Sequence, residues 1–343
     1  MRVDALLARG LLPDRLVRLG VRRAIATRLA QQRAGGPAAA ARRTAAFVEE
    51  MRRSPIAVCG AAANAQHYDV PAAFFERVLG PRLKYSAAWW PRGVDDLAAA
   101  EEAMLRLTAE RAGLADGQRV LDLGCGWGSL SLWLAERHPA MRITAVSNSA
   151  SQAAFIRAAC RARGFAAVEV VTGDVTTWTP AARFDRVVSI EMFEHLRNWG
   201  AMLARVRGWL EPDGRVFTHV FAHRHFAYPY EDAGPGDWMA RHFFTGGIMP
   251  SADLFRRFGD DLIVERGWRL SGRHYARTAA AWLGNMDRDR AAIMRVFRDC
   301  YGREAQRFWH YWRTFFMAVE ELWGWAGGRE WVLAQQRLRP ARG

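Results

Sequence analysis

The stretch VLDLGCGWGSL, Val120 to Leu130, decides the fold. An apolar run, Val120–Leu123, reads as a buried strand and leads into three alternating glycines, Gly124, Gly126 and Gly128. A helical pattern follows from Ser129 to Arg137. Glycine at such a turn lets a ligand lie on bare backbone, and the next helix N-terminus offers unpaired N–H groups. Outward from this turn, short β-branched runs predict strands at Ile143–Val146, Val168–Val171, Phe184–Ile190, Val216–Phe221 and Leu262–Leu270, with a last strand at Trp331–Leu338. Helical stretches such as Ser151–Arg163 separate most of them. Strand–helix alternation of this kind is α/β architecture: a seven-stranded, mostly parallel sheet with helices on both faces and ligands at the carboxyl ends of its strands.

The third glycine follows the second by two residues, so the dinucleotide pattern GxGxxG is not met. With an acid, Asp122, inside the end of the first strand, the motif points instead to S-adenosylmethionine and a class I, Rossmann-like methyltransferase. Further polar residues fall at successive strand ends. Asn148 and Gln152 follow the second strand and suit ribose hydroxyls or an amino-acid tail. Asp174 follows the third and suits an adenine amino group. Any one of these alone would be an ordinary turn residue; their succession favours a nucleoside pocket.

Composition narrows the rest. Half of the 343 residues are hydrophobic and 24% are charged, which excludes a disordered chain. No run reaches the roughly 18 apolar residues of a membrane span. The opening MRVDALLARGLLPDRLVRLG lacks a signal peptide's apolar core, and the four cysteines are scattered without metal-ligand spacing. The expected setting is cytoplasmic, with no metal site. The net charge of +14 is uneven, because residues 1–60 carry twelve arginines against four acids. Residues 1–55 therefore read as a basic helical arm: a helix over 11–32, a hinge over 33–41 and a second helix over 42–53. Leu16, Leu19, Ala24 and Leu29 form the apolar stripe of the first helix. Such an arm either packs on the body, the favoured reading, or docks peripherally on an anionic membrane at its inner face. Residues 56–343 form the methyltransferase body, with an aromatic cap insertion at about 222–261 and helices expected over 275–300 and 303–325. Aromatic residues outside the nucleotide core, among them Phe243, Phe244, Phe315 and Trp323, suggest a hydrophobic acceptor.

The fourth strand runs into SIEMFEHLRNW, Ser189 to Trp199. If a helix begins there, Glu191 faces both Glu194 and His195, and a neighbouring carboxylate would favour protonated imidazole. Histidine's ordinary value near 6.5 suits a proton acceptor at neutral pH. Base-modifying enzymes of nucleic acid carry an Asp/Asn-Pro-Pro-aromatic run after this strand, whereas this chain has Glu191-Met192-Phe193-Glu194. The acids would also repel phosphate, so nucleic acid is excluded as the acceptor.

The chain resembles the cyclopropane-fatty-acid synthase family of class I methyltransferases, and within it the coclaurine N-methyltransferase-like branch. The motifs that carry the resemblance are QHYDVP, LGPRLKYSAAWW, VLDLGCGWGSL, SIEMFEH, FFTGGIMPS, HYART and YWRTFFMAVEEL. The resemblance implies that Tyr85 and Ser86 touch the cofactor's amino-acid end, while Gly124, Asn148, Gln152, Asp174, Val175 and Ile190 complete its pocket beside Gly126 of the turn. It also implies two chemistries. The lipid branch methylates a double bond and uses bound bicarbonate, for which the matching positions here are Cys125, Glu194, His219 and Tyr275 with the Phe221 backbone. The amine branch uses residues matching Glu194 and His195 to bind the amine and take its proton. Glu191 stands where lipid enzymes carry glycine and Phe315 where they carry cysteine, so the expected acceptor is an amine nitrogen, with a lipid alkene as the alternative. The oligomeric state, a dimer included, is not legible.

Overall fold

The computed structural model describes residues 3–58, 70–232, 234 and 237–341. Cys59 and the Gln66–Asp69 part of the QHYDVP motif lie outside them. The seven expected strands form one sheet: β1 (Arg119–Leu123), β2 (Arg142–Ser147), β3 (Val168–Thr172), β4 (Phe184–Ile190), β5 (Leu210–His223), β8 (Leu262–Ser271) and β9 (Trp331–Pro340), in the order β3-β2-β1-β4-β5-β9-β8. A separate two-stranded piece, β6 (Tyr228–Pro229) and β7 (Ile248–Met249), belongs to the cap. The first five strands run parallel, and β9 inserts antiparallel between β5 and β8.

Strand order reverses direction between β1 and β4, which opens a crevice at their carboxyl ends. Val120, Leu121 and Leu123 are buried, and the register sets Asp122 opposite Ala145 on one side and Val188 on the other. Across β4 and β5, Ile190 lies opposite His219. That register brings the end of β4 and the middle of β5 together at the crevice.

The N-terminal arm departs from expectation in two ways. Its hinge shrinks to Ala34–Gly35, and the next helix already begins at Gly36 (Gly36–Arg53). Four consecutive alanines are strong helix formers, and Pro37 sits in the first turn, where its missing N–H costs nothing. The apolar stripe is also displaced. Val17, Ile25 and Leu29 are buried, whereas Leu16 and Leu19 are exposed. The arm packs on the body: Arg18 pairs with Glu320 and Glu321, Arg22 with Glu321, and Arg33 with Glu330. The helical stretch expected over 275–300 is split in two, Arg273–Arg288 and Arg290–Tyr301, with Asp289 between them. The long Ala305–Gly324 helix packs its aromatic face inward, burying Trp309, Trp312, Phe315, Phe316 and Trp323.

Arg313 on that helix bonds Asp14 of the arm at 2.8 and 2.9 Å and Asp287 at 2.6 and 3.0 Å, and its side chain is only 17% exposed. The guanidinium holds Asp14 below the usual carboxylate range. A depressed carboxyl stabilises the fold above its ordinary value and loses that contribution as pH falls. Arg313→Ala is therefore expected to cost about 1 to 3 kcal/mol at pH 7, read as a lower Tm, with a smaller loss at pH 3. An equal loss at both pH values would mean that packing of the stem, not the ion pairs, secures the arm.

Candidate active site

The glycine turn adopts the conformation its sequence demands. Gly124, Gly126 and Gly128 have φ of 82°, 55° and 79°, a region that side chains rarely enter. A Cβ on Gly124 would come within 2.6 Å of the Met192 side chain. The turn is pinned to the next strand, since the N–H groups of Gly124 and Cys125 both donate to the Val146 carbonyl at 3.0 Å. Above it opens a cleft of about 620 Å³. All ten positions expected to bind the cofactor line this cleft. They are Tyr85, Ser86, Asp122, Gly124, Gly126, Asn148, Gln152, Asp174, Val175 and Ile190.

Their polar atoms divide into engaged and available. Ser131 donates to Asp122 at 2.6 Å, and burial pushes the Asp122 carboxyl up to about 6. Gln152 accepts from Ser147 through its oxygen at 2.7 Å, which leaves its buried amide nitrogen without a partner among the described residues. One Asp174 oxygen accepts its own turn's Thr176 N–H at 2.8 Å. Burial raises the Cys125 thiol well above its ordinary value, so it stays neutral and is no nucleophile. The bare glycines and the orphaned amide fit a polar nucleoside ligand.

Beyond the cleft lies a second, smaller cavity of about 80 Å³ with aromatic walls, including Phe221, Tyr230, Phe244, Tyr275, Phe315 and Trp323. Tyr85, Glu191 and His195 line both spaces and mark the passage between them. Here the expected helix fails to form. Glu191 sits at φ 48°, a strained backbone for a residue with a Cβ, and only a single 3₁₀ turn, Phe193–His195, follows. The kink turns the Glu191 carboxylate inward. It accepts from the Ala87 N–H at 2.9 Å and from the Tyr275 hydroxyl at 2.9 Å, with His219 Nε2 at 3.8 Å. Glu194 lines neither space. Fully buried, it accepts the Phe221 N–H at 2.7 Å through one oxygen, and its other oxygen has no hydrogen bond among the described residues.

The charges also differ from expectation. Burial drives the His195 pKa down to about 4, and the ring stands against Phe244 with centroids 4.7 Å apart. The imidazole is thus neutral, the reverse of the ion pair that helical spacing suggested. His219 is pushed well below its ordinary value, first by burial and then by Lys84 and Arg111. Glu191 and Glu194 are both raised, chiefly by burial, and Glu194 further by Glu191 itself.

The positions matched to bicarbonate are partly engaged: the His219 Nε2 and one Glu194 oxygen have no hydrogen bond among the described residues, whereas two donors are taken. The Tyr275 hydroxyl is already given to Glu191 and the Phe221 N–H to Glu194, and two buried carboxylates disfavour a third anion. Sequence reasoning passed over Lys84, which also lines the cleft; the signal was present, because it is the only lysine in the chain. Among the described residues no cluster of metal-ligating side chains occurs.

A parallel sheet of this order, with a glycine turn flooring a nucleoside cleft, defines a class I S-adenosylmethionine-dependent methyltransferase. Residues 60–321 match the family model of mycolic acid cyclopropane synthetase, and the chain belongs to that family. It is 37% identical over 291 residues to (S)-coclaurine N-methyltransferase of Thalictrum flavum subsp. glaucum, covering 83% of this chain and 81% of that protein. It is 30% identical to cyclopropane-fatty-acyl-phospholipid synthase of Escherichia coli (strain K12), over 63% of this chain and 54% of that one. The crystal structure of coclaurine N-methyltransferase bound to N-methylheliamine and SAH superposes with a TM-score of 0.95 at 34% identity, covering 98% of each chain.

A carboxyl raised by burial is stabilising when protonated and costs stability as pH rises past its ordinary value. Glu194→Gln keeps an oxygen for the Phe221 N–H and removes the titrating group. The ligand-free variant is expected to have a higher Tm than the parent at pH 8, with the gap closing toward pH 4.5. A gap independent of pH would deny that burial raises the Glu194 carboxyl.

Proposed function

We propose that this methyltransferase transfers the methyl group to the nitrogen of a small hydrophobic amine. The observation that carries the reading is the Glu191 carboxylate, which lines the aromatic cavity where that cavity meets the cofactor cleft. A buried carboxylate attracts a cationic amine and disfavours an anionic headgroup. The relatives named N-methyltransferases, which match over most of their length, support the same acceptor class.

S-adenosylmethionine, when bound, supplies a methyl group on a positively charged sulfur, which the amine lone pair displaces in line. The chain's task is alignment, which can supply roughly 7 to 11 kcal/mol. Tyr85, Ser86 and the glycine turn hold the donor side, and Phe244, Phe315 and Trp323 shape the acceptor side. Glu191 supplies the counter-charge. Neutral His195 offers an acceptor nitrogen to the amine proton. Burial keeps this imidazole in its neutral, proton-accepting form at pH 7. Glu194 stands behind them as a positioning group, holding the Phe221 backbone of the cavity wall.

The cavity of about 80 Å³ lies below the 300 Å³ or more usual for ligand pockets. A larger acceptor would displace Tyr230, Met239 and Phe244 of the cap. The lipid alternative has less support because two donors matched to bicarbonate, the Tyr275 hydroxyl and the Phe221 N–H, are engaged. Peripheral membrane contact belongs with that alternative and would rest on Leu11, Leu16 and Leu19, exposed on the arm beside Arg15 and Arg23.

Methyl-labelled S-adenosylmethionine offered with cyclic secondary and tertiary amines and with unsaturated phospholipid vesicles should place label on amine nitrogen. Label confined to lipid would overturn the assignment. His195→Ala is expected to lower kcat on a secondary amine by about 10²- to 10⁴-fold and to leave S-adenosylmethionine affinity, measured by calorimetry, nearly unaltered. A variant kcat equal to the parent's at every pH from 6 to 9 would remove His195 from proton transfer.

A further inference from the structure

The chain holds one lysine against 48 arginines, so wherever a surface cation would serve, arginine stands. The exception, Lys84, is almost completely buried, with 2% of its surface exposed. It follows Leu83, whose φ of 50° marks a sharp bend. Its Nζ donates back over its own turn, to Ser86 Oγ at 2.5 Å and to the Ala87 carbonyl at 2.8 Å. The Ala87 N–H then donates to Glu191 Oε1. Buried Glu101 accepts N–H groups from Gly80 at 3.0 Å, Arg82 at 2.9 Å and Lys84 at 3.4 Å. The Lys84 turn is therefore hydrogen-bonded to two buried acids, Glu101 and Glu191, and both favour the charged ammonium.

We propose that Lys84 is a positioning residue for methyl transfer: it supplies the positive charge opposite the Glu191 carboxylate and holds the Tyr85–Ala87 segment against it. The inference rests on the role given to Glu191 above. The groups facing Glu191 are Lys84, the Tyr275 hydroxyl, His219, Glu194 and His195. Both histidines are driven below neutrality and Glu194 opposes a second negative charge, so Lys84 is the one cation of this set at pH 7. The influence is mutual. Lys84 lowers Glu191 against the effect of burial, and Glu191 and Glu101 raise Lys84, which burial brings to about 8. An arginine would bring five N–H donors in a rigid fork to a space that offers two acceptors, which explains why arginine has not replaced lysine here.

The test reads the Glu191 carboxyl directly. Infrared titration of the full-length, ligand-free protein, with Glu191→Gln as the subtraction, gives the midpoint of its protonation. Lys84→Met removes charge and hydrogen bonds; Lys84→Gln removes the charge but keeps an amide donor for the Ala87 carbonyl. Both are expected to raise the midpoint by about one pH unit or more, a tenfold change in the protonation equilibrium. If Lys84→Met does not fold, Lys84→Gln decides. An unmoved midpoint in a folded variant overturns the proposal, because a merely structural lysine would change stability alone. The role of Glu191 toward amines is read separately, by Glu191→Gln in the labelled-amine assay, so the two failures are distinguishable.

Discussion

Burying carboxylates at the tip of a parallel strand is the constraint on which this site depends. A carboxylate withdrawn from water needs partners, and Glu191 obtains three from two elements: the Ala87 N–H and the charge of Lys84 from one turn, and the Tyr275 hydroxyl from the Arg273–Arg288 helix. Glu194 accepts one hydrogen bond, from the Phe221 N–H, and forms no ion pair among the described residues. Such a pair is costly in the absence of ligand and is relieved by anything positive that enters. The strained φ of Glu191 belongs to the same arrangement, because an ordinary helical start would have pointed the acid elsewhere.

The fold supplies what those acids cannot. The sheet order opens a crevice at β1 and β4, the glycine turn floors it, and the β4–β5 register sets Glu191 beside His219. Aromatic side chains from the cap and the Ala305–Gly324 helix enclose the acceptor side, where exclusion of water strengthens each charge. The basic arm packs against this aromatic helix through paired arginines, so much of its charge serves the fold.

Much of this was legible in the sequence because it is local. Glycines that need positive φ, apolar runs of strand length and polar residues at strand ends all announce themselves, and every position assigned to the cofactor lines one cleft. What depended on three-dimensional burial was not legible. The spacing of Glu191 and His195 suggested a charged imidazole, yet desolvation leaves it neutral. Glu194 looked like a wall of the site and lies behind it. In the arm helix the hydrophobic residues admit two phases, and the one in which Arg18 and Arg22 reach Glu320 and Glu321 prevails, leaving Leu16 and Leu19 in water. Lys84 was visible only as a compositional oddity.

The central claim is that this site is built to receive a positive charge. Calorimetric titration at pH 7.5, in the presence of S-adenosylhomocysteine, can compare N,N-dimethylpiperidinium with its neutral carbon isostere, 1,1-dimethylcyclohexane. The two have the same shape and differ in charge. The account requires the cation to bind about tenfold tighter or more, a difference of about 1.4 kcal/mol, and Glu191→Gln to erase the preference. Equal affinity for the two probes, or a preference that survives the loss of Glu191, would contradict it.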